Sequence, residues 1–167
     1  QSILVRGERI ERIEAGYVTP DGAEIVDLSG HTVMPGFIDS HVHILRQRSS
    51  VERINSFEYS EADWALDGAK YAKITLMAGF TTVQDVGGEI GAVTALRDSI
   101  RDGDIPGPRM RVAGSAVTPT GGHGDINGFN EQVMAEFSSP TACNGPDDCA
   151  RAVRQLVRGG ADVIKIT

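Results

Sequence analysis

Residues 35–44 read PGFIDSHVHI, two of the four histidines of the chain set one residue apart in an otherwise apolar run. On a strand, side chains alternate between faces, so Asp39, His41 and His43 are expected on one face and Ile38, Val42 and Ile44 on the other. An apolar face packed under helices would leave the two imidazoles pointing the opposite way, near the C-terminal end of the strand. Neutral imidazole is a favoured zinc ligand, and two rings spaced in this way can reach one ion. A bare His-x-His pair on an edge strand is more often merely solvated; the buried strand expected here is what makes the pair a candidate metal site.

The surrounding sequence supplies that setting. Residues 3–34 read as short strands and turns (ILV, RIERIE, AEIVDL, TVM), too small a piece to bury a core alone. From Pro35 strands alternate with helices. Ser60 and Asp63 have the spacing of a capping box. The helix behind them places Ala62, Ala65, Leu66, Ala69, Ala72 and Leu76 on one face. Gly79 can close that helix, and FTTVQDV (80–86) follows as a strand. Val93, Leu96 and Ile100 mark a second helix, and MRVAGSAV (110–117) a third strand. Pro146 suits the first turn of a third helix with Val153, Leu156 and Val157 inward, and ADVIKIT (161–167) is a fourth strand. Such alternation implies a parallel α/β sheet. The Gly-, Thr- and Ser-rich stretch 118–145 is a long loop after the third strand, the kind of place where parallel folds keep their function.

Composition narrows the partners. The chain has 167 residues, 40% hydrophobic and 23% charged, and a formal net charge of −7. An acidic chain with 5% aromatics argues against nucleic acid and anionic membranes. No apolar run approaches the roughly 20 residues of a membrane helix. The first residue is Gln1, so an upstream segment is expected to have been removed and targeting is not readable. Cys143 and Cys149 flank a Gly-Pro turn, and their proximity favours a small disulfide and a periplasmic or secreted setting over the cytoplasm. GGEIGA (87–92) is too short for a dinucleotide fingerprint, and GGHGD (121–125) lacks the Gly-Lys-Ser/Thr of a phosphate loop.

Lys165 is the second chemical signal. If 161–167 is a strand, Ile164 and Ile166 take one face and Lys165 the other, pointing where the histidines point. Burial in a barrel interior favours the neutral amine, which can combine with carbon dioxide to give an anionic carbamate. Alone, such a lysine snorkels or pairs with an acid; beside His41 and His43 it completes half of a two-metal site.

VMPGFIDSHVH (33–43), TTVQDVGG (81–88), TPTGGHGD (118–125) and GADVIKIT (160–167), in this order, resemble the amidohydrolase superfamily, in particular its dipeptidase and imidazolonepropionase-like branch. The resemblance implies part of a small β-sandwich over 1–34 and the first four strand-helix units of a (β/α)8 barrel over 35–167. It implies His41 and His43 as ligands of the more buried of two zinc ions, with other divalent metals able to substitute, and Lys165 as the carboxylated bridge. Lys165 favours the two-metal, peptide-cleaving members over the imidazolonepropionases, which use one metal. The expected reaction is cleavage of a dipeptide or N-acyl amino acid by a metal-bridging hydroxide. Two further histidines from the fifth and sixth strands and a proton-shuttling aspartate from the eighth lie outside these residues. The segment is therefore expected to carry no catalytic residue, to be inactive alone, and to pair with the rest of the barrel in the same or a second chain, in a homo-oligomer.

The remaining candidates stay open on sequence. His123 either binds a substrate carbonyl or carboxylate or is a solvated loop histidine. Asp85 either orients a metal ligand or ends a strand. Arg46 and Arg48 either meet a substrate carboxylate or are solvated, and His31 reads as a turn residue. A cyclic amidohydrolase or ring deaminase uses the same chemistry with another pocket. A non-catalytic barrel homologue, kept as a scaffold, is the rival from another class, although it would not be expected to retain His41, His43 and Lys165 together.

Overall fold

The computed structural model describes residues 1–167, the side chain of Arg53 excepted. The chain folds as two compact units, residues 1–35 and 36–167. In the first, β1 (Ser2–Arg6) and β2 (Arg9–Glu14) form an antiparallel hairpin about Gly7, whose φ of 59° suits the tight turn. AEIVDL and TVM form no strand, contrary to the β reading of 3–34 beyond the hairpin. Their apolar side chains, among them Ile25, Val26 and Val33, are exposed, so β propensity there has no packed face to act on.

The second unit is a parallel three-stranded sheet, β3 (Phe37–Val42), β4 (Phe80–Asp85) and β5 (Arg109–Val112), in sequential order. Helix α1 (Glu52–Glu58) and helix α2 (Glu61–Met77) lie between β3 and β4, and α3 (Ile90–Asp102) between β4 and β5. Helices α4 (Glu131–Phe137) and α5 (Pro146–Arg158) follow. The fold is α/β, with the strand–helix–strand grammar of the first part of a barrel. The fourth expected strand is absent as a strand: residues 161–167 meet the end of β5 through Asp162 N–H donating to the Val112 carbonyl at 2.8 Å, and beyond it form one isolated parallel bridge, Val117 to Ile166. The third is also shorter than expected, ending at Val112. Gly114, with φ 69°, turns the backbone out of the extended region just beyond it.

The helix starts follow local chemistry. Ser60 and Asp63 form the full capping box, each side chain taking the other's backbone N–H. Gly103 ends α3 in a left-handed conformation, and Pro146 opens α5. Helices α1 and α4 went unforeseen because each is only seven residues long, inside polar loops with no sustained apolar period. The buried face of α2 also differs from expectation. It runs through Trp64, Gly68 and Ala72, while Leu66 is 73% exposed. The reason is close approach: a Cβ on Gly68 would lie 2.8 Å from Leu45 Cδ2 and 2.9 Å from Leu96 Cδ2. A glycine, not a leucine, lets this helix sit on its neighbours. In α5 Ala152 and Leu156 are buried, but Val157 is exposed.

The main core lies between the sheet and helices α2 and α3, with Ile44, Leu45, Trp64, Val83, Val93, Leu96 and Val112 at its centre. A second cluster of Val117, Cys143, Ala152 and Leu156 seats α5. These two cores fix the C-terminal ends of the strands and the loops that leave them.

Candidate metal centre

His41 is the next-to-last residue of β3 and His43 stands just past its end, where the parallel strands release their loops. Between Asp39 and Val42 the strand carries an extra residue: Asp39 pairs with Val83 and Val42 with Asp85, three steps against two. The strict alternation read from the sequence is interrupted there. Asp39 is paired with a core residue, Ile38 is 73% exposed, and Asp39 Oδ1 accepts the backbone N–H of His41 at 3.0 Å. Beyond the bulge alternation holds: Val42 and Ile44 pack into the core while His41 and His43 are exposed. Their rings stand edge-on, centroids 5.6 Å apart.

His43 is held by its second nitrogen. Its Nδ1 lies 3.0 Å from the carbonyl oxygen of Gly87. A carbonyl can only accept, so Nδ1 carries the proton and Nε2 keeps its lone pair for a metal. Gly87 makes this possible, since a Cβ there would lie 2.7 Å from His43 Cε1 and 2.8 Å from Nδ1.

Asp85 links the two loops. It is fully buried at the end of β4, its Oδ2 accepting Ile44 N–H at 2.6 Å and its Oδ1 accepting Gly87 N–H at 3.1 Å. One carboxylate thus pins the residue after His43 and the residue whose carbonyl holds the His43 ring. Burial pushes its pKa up, opposed by those two amides and by the charge of Arg46. Asp85 therefore acts on His43 through backbone and not by touching the ring.

Arg46 is neither solvated nor free for a substrate. Its Nη2 meets both Glu89 oxygens at 2.9 and 3.0 Å, and its guanidinium lies 4.7 Å from the centroid of Trp64, tying the loop after β3 to the start of α3. Sequence reasoning missed this clamp and the Gly87 carbonyl. The signal was present in the Gly87-Gly88 pair directly after a strand, which marks close approach of another group.

The other candidates make no side-chain bond to the histidine pair among the described residues. Lys165 is half-buried; its backbone carbonyl accepts Val117 N–H at 2.8 Å, and among the described residues its ammonium has no ion pair. His123 is exposed in the loop after Val117 and makes no side-chain hydrogen bond among the described residues. Neither Lys165 nor His123 shares a hydrogen bond with His41 or His43 among the described residues. His31 is exposed in a turn. No group of three or more His, Cys, Asp or Glu among the described residues is placed to hold a metal ion. What the structure does present is a two-histidine half-site with one ring's tautomer fixed for ligation. Cys143 and Cys149 form a disulfide with Cα atoms 5.0 Å apart, at the start of α5.

Residues 32–167 match the model of the amidohydrolase family. The chain belongs to the amidohydrolase family. A solved Xaa-Pro dipeptidase, with methionine bound in its active site, superposes on this amidohydrolase with a TM-score of 0.82 and 34% identity, over 94% of this chain and 39% of that one. Ochratoxinase of Aspergillus niger is 30% identical over 151 residues, 80% of this chain and 30% of its own. Adenine deaminase of Rubrobacter xylanophilus is 25% identical over 167 residues, 99% of this chain and 23% of its own. The amidohydrolase chain thus spans less than half the length of each. No helix among the described residues is long and apolar enough to cross a membrane.

Proposed function

We propose that this amidohydrolase chain supplies part of a divalent-metal site that hydrolyses a peptide-like amide, such as a dipeptide or an N-acyl amino acid. The observation that carries the reading is the hydrogen bond from His43 Nδ1 to the Gly87 carbonyl, which leaves Nε2 uncommitted on an exposed ring 5.6 Å, centroid to centroid, from that of His41. His41 and His43 would hold the metal, with Lys165, as a carbamate, bridging to a second ion. Such ions, zinc foremost, polarise a carbonyl and acidify water. The chain's own residues orient the site: Asp85 and Gly87 fix His43, and His123 donates to or accepts from the substrate at the loop edge. The proton shuttle and the remaining ligands come from further barrel strands, in the same or a second chain, and the 167 residues alone are inactive. The likeness to a Xaa-Pro dipeptidase supports the peptide-like substrate. The match along nearly the whole chain to an adenine deaminase supports a second reading, attack on a ring carbon or cyclic amide by the same machinery. The disulfide supports a periplasmic or secreted setting.

The test is metal content by elemental mass spectrometry together with turnover of dipeptide and ring-substrate panels by the full-length enzyme. About two ions per site are expected, with His41→Ala losing metal and activity together. A metal-free wild type that still turns over substrate would sink the proposal, and turnover confined to ring substrates would select the second reading.

A further inference from the structure

The loop that carries His123 is more ordered than its composition suggests, and one side chain accounts for much of the order. Gly122 N–H donates to the Pro119 carbonyl at 2.8 Å and Asp125 N–H to the Gly122 carbonyl at 3.0 Å, so His123 sits inside the second of two successive turns. Gly121 has φ of 72°, and a Cβ on Gly122 would lie 2.4 Å from Thr118 Oγ1, so the first glycine is needed for conformation and the second for space. Asp125 closes the arrangement. Its Oδ2 accepts Gly121 N–H at 2.8 Å. Its Oδ1 accepts Ile126 N–H at 2.9 Å, Ser139 N–H at 2.8 Å and the Ser138 hydroxyl at 3.1 Å. The donors come from both ends of an excursion that includes α4. Burial raises the Asp125 pKa, but the amides of Gly121, Ser139 and Ile126 and the Ser138 hydroxyl outweigh it, and the net shift is down. The latch is thus a carboxylate at neutral pH. Within this frame the His123 side chain is exposed and uncommitted among the described residues.

We infer that Asp125 is a positioning residue: by latching residues 121–126 to Ser138 and Ser139 it fixes the loop in the one conformation that presents His123 to the substrate. The inference rests on the reading of His123 as substrate-binding. A carboxylate with only a loop-stability role would matter equally whether or not His123 were there, and this difference can be measured.

The experiment compares Asp125→Ala, Asp125→Asn, His123→Ala and the His123→Ala/Asp125→Ala double variant in the full-length enzyme. It measures kcat and KM on the dipeptide panel and amide deuterium exchange over 119–126. Asp125→Ala is expected to raise KM about tenfold, the loss of one substrate hydrogen bond, with kcat changed less than about twofold. The double variant should be no worse than His123→Ala, and exchange should quicken in this loop alone. Asp125→Asn, isosteric but unable to accept on both sides, should fall between and guards against misfolding of the alanine variant. Additive KM effects, or a fall in kcat with loss of global stability, would overturn the inference. So would an unchanged KM in His123→Ala, which leaves the hydrolase reading intact. If the wild type turns over no dipeptide, the peptide-cleaving reading fails by itself. The latch is then decided by exchange: unchanged rates over 119–126 in Asp125→Asn overturn it, and faster rates confined there uphold it.

Discussion

At His43 one ring nitrogen is spoken for and the other is not, and that asymmetry is the chemical content of the site. The Gly87 carbonyl sets it, and Gly87 is the residue without which the ring could not approach. Gly87→Ala is therefore expected to push the imidazole off its acceptor while leaving the core, which lies on the other face of β3, in place. Loss of such an outer partner typically weakens metal affinity by about 10- to 100-fold. Zinc titration of Gly87→Ala against wild type, with circular dichroism as the check on folding, would show it; unchanged affinity would mean that the hydrogen bond plays no part in ligation. The histidines themselves were legible from residue type and spacing. The bulge at Asp39–Val42 was not, because an extra residue changes pairing without changing composition. Asp85 was legible as a candidate, but its two backbone partners, Ile44 and Gly87, are 41 residues away and two residues on, and only the fold brings them together.

At the scale of elements, what the sequence made plain was whatever is local. The capping box of α2, the glycine end of α3 and the proline start of α5 all stand where the residues place them. Faces were harder. Leu66 looked inward by period and points outward, since the helix-to-sheet distance is set by Gly68 against Leu45 and Leu96. Strand lengths were overestimated at 110–117 and 161–167 because apolar alternation does not reveal where neighbours cease to pair. The α2 cap yields a signed pH prediction. Hydrogen bonds from the Ser60 hydroxyl and then the Ser60 amide lower the Asp63 pKa below 3.8. The native state then binds fewer protons than the unfolded chain, so the contribution is present above 3.8 and is lost as pH falls through the lower native value. Amide exchange in the first turn of α2 should accelerate over that acid window, and Ser60→Ala, which removes the hydroxyl but keeps the amide, should shrink the acid step. At neutral pH the same substitution should lower the melting midpoint on the order of 2–4 °C. An acid profile identical to wild type would show that the box is open in solution.

Across the whole molecule, a covalent device holds the loops at the strand ends. The Cys143–Cys149 disulfide closes a short ring at the start of α5, next to the pairing of Thr118 with Ala142. In the chain-entropy view, closing a loop of about seven residues stabilises by on the order of 2 kcal/mol, so replacing both cysteines by serine should lower the unfolding free energy by about that amount in denaturant melts. No loss at all would mean that the pair is reduced in the working protein. A metal at the proposed site would be a second such device, coupling the site to the fold. If His41 and His43 bind it only in the native arrangement, zinc at about one hundred times its dissociation constant should stabilise the full-length protein by about 2.7 kcal/mol. A chelator should remove that increment. His41→Ala should show no zinc increment while its metal-free midpoint stays close to that of the wild type, because His41 is exposed and packs in neither core. A variant whose metal-free midpoint also falls would instead make His41 a structural residue. Equal zinc stabilisation in both proteins would place the ion elsewhere, away from the only pair of histidine rings that the fold brings into contact among the described residues.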